Sequence, residues 1–429
     1  MTSLHTRLTI EKLGQRGEGI ARGDRGLVFV PYALAGETII AEVDGERGKL
    51  GEVVTPSPDR IASFCPHFTI CGGCAVQTLA QPAYAVWKRE LVTSALEHAG
   101  VQAEVGALID AHGEGRRRAT FHARFIRHGS GRVEAIVGFM QARQHTIIPL
   151  DACPVLAPSM AGALAAARGV ADVLGEVGKP LDILVTATIE GLDIDVRGAG
   201  KLEPELRQTL IDTAARLDLS RISNHGDVLI ERRIPLLQMG AARVSPPAGA
   251  FLQATEAGEE TLGRLVTAAV GKAKRVADLF AGVGTFTLRL ASGSSEVLAV
   301  ENDALAINAL ARGAHMPGLR TVNIQTRDLF RRPLAGGELD GFDAIVFDPP
   351  RAGAEEQAKT LAVSNIPTVV AVSCSAQTFA RDARILIDGG YSIESVTPVD
   401  QFRHSPHVEI VGVFRRPKLK ARRKGRLLG

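Results

Sequence analysis

The chain reads as an α/β protein in which a doubly wound parallel-sheet domain follows a small β-barrel and a mixed α+β central domain. Three observations predict this. From about Phe251 onward, apolar strand-like runs alternate with helical periodicity. Residues 4–56 hold five short β-type runs punctuated by glycine. Between these regions, three of the five cysteines crowd into the ten residues Cys65–Cys74, which marks a separate centre. The implied division is a barrel over 1–60, a central domain over 61–250, the doubly wound domain over 251–416 and a basic tail over 417–429.

The 429 residues suggest about three domains, at roughly 150 residues each. A hydrophobic fraction of 45% and a charged fraction of 23% exclude wholesale disorder, collagen and coiled coil. No apolar run approaches the roughly 18–20 residues that span a bilayer. The opening MTSLHTRLTIEKLGQRGEG lacks the apolar core of a signal peptide, so the expected location is cytoplasmic. Arg415–Gly429 carries eight Lys/Arg and no acid, and removing those eight charges from the net +3 leaves −5. Such a tail suits a polyanionic partner, or is simply a solvated end.

RLTIEKL, GEGIAR, GLVFVPYA, ETIIAEV and KLGEVV supply the five barrel strands. Five strands in so short a stretch fit a barrel of the oligonucleotide-binding kind, or another small barrel that binds protein. A helix is expected over about 82–99. The stretch Arg116–His145 then carries seven Arg and three His interleaved with Phe121, Phe125 and Phe139. TFHARFIR and RVEAIVGFM read as two strands around a Gly-Ser-Gly turn. Their arginines suit phosphate contact and their aromatics base stacking, or the charges line a solvated sheet face. Helices over 158–173 and about 203–217, with strands near 182–188 and 192–196, read as scaffold or substrate platform.

In the doubly wound region, strands are expected at Arg275–Phe280, Val297–Asn302, Thr321–Asp328, Phe342–Pro350 and Thr368–Ser375, with YSIESVTPVD and HVEIVGVFRR last. Ligands of such sheets sit at the carboxyl ends of the strands. Asp278–Thr287 (DLFAGVGTFT) forms a strand-to-helix turn there, but Thr287 stands where a dinucleotide fingerprint has its third glycine. Glu301 ends the next strand, where a carboxylate can bind both ribose hydroxyls. With Asp328 and Asp348 at further strand ends, the pattern resembles motif I and its partners in class I S-adenosylmethionine-dependent methyltransferases.

Cys374 ends an apolar strand and precedes a helix, whose N-terminus would lower its pKa and favour the thiolate. Asp348-Pro349-Pro350-Arg351 ends the neighbouring strand, and His407-Val408-Glu409 opens the last one. A methyl donor, a thiolate and a carboxylate base together suit carbon 5 of uracil, a poor nucleophile until a thiolate adds at carbon 6. Oxygen or nitrogen methylation needs no such cysteine.

Cys65, Cys71, Cys74 and the distant Cys153 form a second set of thiols. In a cytoplasmic protein they point to a metal rather than disulfides. Zinc or an iron–sulfur cluster would suit four thiolates, and one short-spaced group with a remote fourth favours the cluster.

Taken together, these motifs resemble bacterial RNA uracil-C5-methyltransferases over nearly the whole chain. GEGIAR and VFVPYALAGE look like that family's N-terminal TRAM domain, and FCPHFTICGGCAVQ like its iron–sulfur motif. DLFAGVGTF, DPPRAG, VSCS and HSPHVE match its catalytic motifs in order. The resemblance implies Cys374 as nucleophile and Glu409 as base. It implies Gln253, Phe280, Thr285, Glu301, Asp328 and Asp348 around S-adenosylmethionine, and Cys65, Cys71, Cys74 and Cys153 around a [4Fe-4S] cluster. Thr285, Asp328 and Ser375-Ala376 depart from the usual Asn, Asn and Asn-Pro. The implied partner is RNA, with 23S ribosomal RNA first and transfer RNA second. A non-catalytic RNA-binding protein and a methyltransferase for cytosine or protein are the other classes.

Overall fold

The computed structural model describes residues 4–129, 131, 133–293 and 295–417. Of the basic tail, residues 418–429 lie outside the described residues. Arg415 and Arg416 belong to the fold: Arg415 bonds to Glu394 and Thr368, and the Arg416 guanidinium lies 4.2 Å from the Tyr391 ring centroid. No helix among the described residues is long and apolar enough to cross a membrane.

Five strands close the N-terminal barrel: Leu4–Leu13, Glu18–Gly23, Gly26–Pro31, Thr38–Asp44 and Arg47–Thr55. Alternation puts Leu8, Ile10, Val28, Val30 and Ile39 inside. The buried Glu37 carboxylate accepts from the Leu34 amide at 2.8 Å and pairs with Arg60, which anchors the barrel to the cysteine segment. Trp87 donates to the Gly14 carbonyl at 3.1 Å, so the barrel also sits on the helix Gln81–His98.

The central sheet has seven strands, in the order Asp227–Glu231, Arg221–Asn224, Gly191–Arg197, Leu181–Thr188, Arg118–Arg127, Val133–Met140, Ile147–Pro149. Ala163–Val173 and Pro204–Arg216 pack their apolar faces on it. Here the expected base-stacking aromatics turn inward. Phe121 is fully buried and stacks on Phe139 with centroids 5.3 Å apart, while Phe125 packs at the margin of the same core. The period of two sends these rings to the covered face. Arg117 is likewise buried, paired with Glu259.

The largest sheet runs Val322–Thr326, Glu296–Glu301, Arg275–Leu279, Ala344–Phe347, Thr368–Ser373, Glu409–Arg415, Ser392–Asp400, Ile109–Asp110. The first five strands are parallel, and Glu409–Arg415 is inserted antiparallel between its neighbours. Every residue of Thr368–Ser373 is buried, as expected for a central parallel strand covered on both faces. Two features of the 61–250 region join this layer. Val92, Ala95 and Leu96 of Gln81–His98 share a core with Phe379 and Ala383, and Ile109–Asp110 forms the sheet's edge.

Candidate active site

Strand register assembles the site. Thr368–Ser373 pairs antiparallel with Glu409–Arg415, and Ser373 lies opposite Ile410. One step further, Cys374 and Glu409 leave the two strand ends side by side. Phe347, opposite Ala371 on the other flank, delivers Asp348 to the same edge. Cys374 is half-buried and Glu409 is buried. Two glutamines link the carboxyls. Gln253 Nε2 donates to Asp348 Oδ2 at 3.3 Å, and Gln401 Nε2 donates to Gln253 Oε1 at 2.6 Å and to Glu409 Oε1 at 3.0 Å. Gln401 Oε1 in turn accepts from the Ala254 amide at 2.9 Å, which fixes its orientation.

The expected lowering of the Cys374 pKa is reversed. Burial and the adjacent Glu409 and Asp348 charges push the thiol up to about 11, and Arg351 opposes them only in part. The helix N-terminus does not rescue it because Ser375 already caps Ala376–Asp388, accepting from the Thr378 amide. Desolvation raises both carboxyls well above the usual carboxylate range, and the Glu409 charge adds to the rise at Asp348. Lys88 and Arg351 favour the ionised form of Glu409 and oppose the rise there.

The burial of Glu409 predicts a pH-dependent stability. A carboxyl with a raised folded-state pKa stabilises the fold below its unfolded pKa of about 4, and that contribution is lost as pH rises through the folded value. Glu409→Gln should therefore melt several degrees above the native protein at pH 8 and alongside it near pH 4. Calorimetry at the two pH values is the check, and equal melting at pH 8 would contradict the assigned burial cost.

The cofactor-type residues line the same edge of the sheet. Glu301 Oε2 accepts from the Gly282 amide at 2.9 Å, while its Oε1 accepts from the Asn302 and Asp303 amides at 2.6 and 2.9 Å. The turn needs its second glycine: Gly284 has φ +102°, and a Cβ there would stand 2.3 Å from Leu310 Cδ1. Thr287, unexplained as a failed fingerprint, donates to the buried Asp278 at 2.5 Å and ties the helix to its strand. Asp278 is pushed up to about 7, chiefly by burial. Phe280 holds φ +61°, unusual for a bulky side chain, and its ring lies 5.3 Å from that of Phe330. Asp328 Oδ1 accepts from the Phe330 amide at 3.0 Å. Thr285 presents its carbonyl to Arg289 at 2.9 Å.

A cleft of about 1800 Å³ opens beside these groups, between the barrel, the cysteine loop and the central sheet. Leu252, Ala254 and His407, which flank Gln253 and precede Glu409, form its border with the site, and Arg116 and Arg118 line its wall. The Nε atoms of both arginines are buried with no hydrogen-bond partner among the described residues. Phe251 projects into the cleft 73% exposed, with the Arg118 guanidinium 6.0 Å from its ring centroid.

Cys65, Cys71, Cys74 and Cys153 line this cleft too, all half-buried and unpaired by disulfides. The loop that carries the first three is pinned to the central sheet by the Gly72 amide, which donates to the Met140 carbonyl at 3.0 Å. The other three thiols lie close enough to raise the pKa of Cys153 electrostatically, though burial is the larger cause. Among the described residues, however, no three His, Cys, Asp or Glu side chains converge to hold a metal ion.

Sequence reasoning missed Gln401, Lys88, Tyr84 and Asp400. Lys88 was detectable: it stands between Tyr84 and Val92 at helical spacing, on an otherwise apolar stripe.

The fold and site define a class I methyltransferase, and comparison with known proteins narrows this further. Residues 244–418 match the family described as tRNA (Uracil-5-)-methyltransferase. An RNA methyltransferase of Brucella suis is 46% identical over 96% of this chain and 99% of its own length. The 23S rRNA (uracil(1939)-C(5))-methyltransferase RlmD of Pectobacterium atrosepticum is 29% identical over 95% of this chain and 93% of its own. Among solved structures, the Pyrococcus abyssi tRNA (uracil-54, C5)-methyltransferase in complex with S-adenosyl-L-homocysteine shares the fold. Its TM-score is 0.73 at 22% identity, covering 95% of this chain and 99% of that one. The chain belongs to the family of RNA methyltransferases that includes the Brucella protein.

Proposed function

We propose that the protein methylates carbon 5 of one uridine in a structured RNA through a covalent Cys374 adduct, with 23S ribosomal RNA as the substrate. The observation that carries this is the juxtaposition of Cys374, Asp348 and Glu409 at three adjacent strand ends. The Pectobacterium relative favours ribosomal RNA, and transfer RNA is the second substrate to test.

When bound, S-adenosylmethionine supplies an electrophilic methyl group. Gln253, Phe280, Thr285, Glu301, Asp328 and Asp348 would hold it. The Gly282–Glu301 clamp fixes the turn, and the open space beside Gly282 suits close backbone approach of a nucleoside. The Cys374 proton passes to solvent. The sulfur then adds to carbon 6, and the displaced electron pair makes carbon 5 an enolate carbon that takes the methyl group. Glu409 removes the carbon 5 proton, the C–S bond breaks, and the departing thiolate recovers a proton from Glu409. Asp348, whose burial favours the protonated form, can donate to the developing enolate oxygen. Arg116 and Arg118 on the cleft wall suit phosphate or base edges, and exposed Phe251 suits a stacked base.

The test is incubation with a labelled methyl donor and either 23S or transfer RNA from cells lacking the gene. 5-Methyluridine at one ribosomal position is expected. Label in 5-methylcytidine or in protein would overturn the reading.

The cysteines of the cleft are read as holders of a [4Fe-4S] cluster, with the barrel taken as a TRAM-like RNA-binding unit. Four partly exposed thiols on one wall, from a loop and a distant turn, fit a group wider than a single ion. No methyl-transfer step needs its electrons, so its role is to tie the loop to the central sheet. Anaerobically purified protein should carry iron, sulfide and visible charge-transfer absorbance, and Cys153→Ser should lose all three. Stoichiometric zinc instead would contradict the cluster.

A further inference from the structure

Lys88 is fully buried, with 0% exposure, yet it sits on the helix Gln81–His98, far in sequence from the carboxyls it approaches. Its Nζ donates to Asp400 Oδ1 at 2.9 Å and to the His407 carbonyl. Tyr84, one turn earlier, donates to Asp400 Oδ2 at 2.6 Å and accepts from the His404 amide at 3.0 Å. The Phe402 amide also bonds to Asp400, at 3.1 Å. The whole turn between Ser392–Asp400 and Glu409–Arg415 is thus gripped from one helix face, two residues before Glu409. A buried ammonium is costly unless something there requires it. Asp400 alone does not, since an apolar pair would pack as well.

We propose that Lys88 is a positioning residue for proton abstraction: it pins the turn that carries Glu409 and faces that carboxyl as a buried counter-charge. The assignment rests on the uracil-C5 reading above. Around Glu409 stand Asp348 and Arg351 from one strand end, Cys374 from the next, Gln401 from the turn and Lys88 from the helix. Arg116 and Asp400 face Lys88, and His407 beside it is held neutral by burial and by Arg351. Lys88 and Arg351 are the cations that favour ionised Glu409. Arg351 Nη2 lies 3.5 Å from His407 Nε2, and His407 borders the cleft.

Removing the Lys88 charge should slow only the step that needs ionised Glu409. The variants are Lys88→Met and, because a lone buried Asp400 could unfold the first, the charge-balanced Lys88→Met/Asp400→Asn. Turnover on uridine RNA is measured against pH, together with the rate of adduct formation on 5-fluorouridine RNA, in which no carbon 5 proton is removed. The acid limb of the turnover profile should move up by about one pH unit, a roughly tenfold loss on that limb. The adduct rate should stay within about twofold of native, and covalent RNA–protein complex should build up on ordinary uridine RNA. An unshifted limb in the folded double variant, or equal loss of turnover and adduct rate, would overturn the assignment. If the native protein itself makes no 5-methyluridine, the uracil reading fails first and takes this assignment with it, a result distinct from normal native turnover with an unshifted variant.

Discussion

Cys374→Ala is expected to abolish 5-methyluridine formation, by at least about 10⁴-fold, while leaving the affinities for RNA and S-adenosylmethionine near native. Carbon 5 of uracil has too little electron density to attack a sulfonium methyl unless carbon 6 is first substituted, and Cys374 is the thiol beside the carboxyl pair. The truncation is small and at a half-buried position, so the fold should lose no more than about 1 kcal/mol. Filter binding, isothermal titration and nucleoside analysis on one preparation separate these quantities. Residual turnover within about tenfold of native would reassign the nucleophile.

Glu409→Gln is expected to stop the reaction later. Turnover should fall by about 10²–10⁴-fold, the usual contribution of a positioned base. Cys374, Asp348 and the cofactor-type residues are untouched, so sulfur addition and methyl transfer still proceed. The RNA should then remain attached through sulfur, already methylated, and be visible as a slow-migrating band on a denaturing gel. The amide oxygen of the substituted side chain can still accept the hydrogen bond from Gln401, so the network keeps its geometry. A variant that neither turns over nor traps RNA would place Glu409 before methyl transfer.

Much of this was legible from sequence because the chemistry sits at strand ends. The alternation after Phe251 and the carboxyl-end rule together placed Asp278, Glu301, Asp328, Asp348 and Cys374 on one edge. The same local logic failed where tertiary context decides. Phe121 and Phe139 look like base platforms beside arginines, but pleat parity faces them into the helices, and Arg117 is spent on Glu259. Phe251, outside any strand, is an aromatic that lines the cleft and is largely exposed there. The direction of the Cys374 pKa shift is not legible because a helix N-terminus is visible in sequence, whereas the two carboxylates across the sheet and the Ser375 cap outweigh it only in three dimensions. Gln401 and Lys88 act across more than a hundred residues of chain, Gln401 on Gln253 and Lys88 on Asp400, and only the lysine broke a local pattern.

The claim on which all of this depends is covalent attachment of the RNA base through one sulfur. Native protein, S-adenosylmethionine and 5-fluorouridine RNA should give a stable complex. After protease and nuclease digestion, mass spectrometry should find a methylated fluorodihydrouracil nucleotide on the peptide containing Cys374. No modified peptide, or the adduct on Cys65, Cys71, Cys74 or Cys153, would contradict the account.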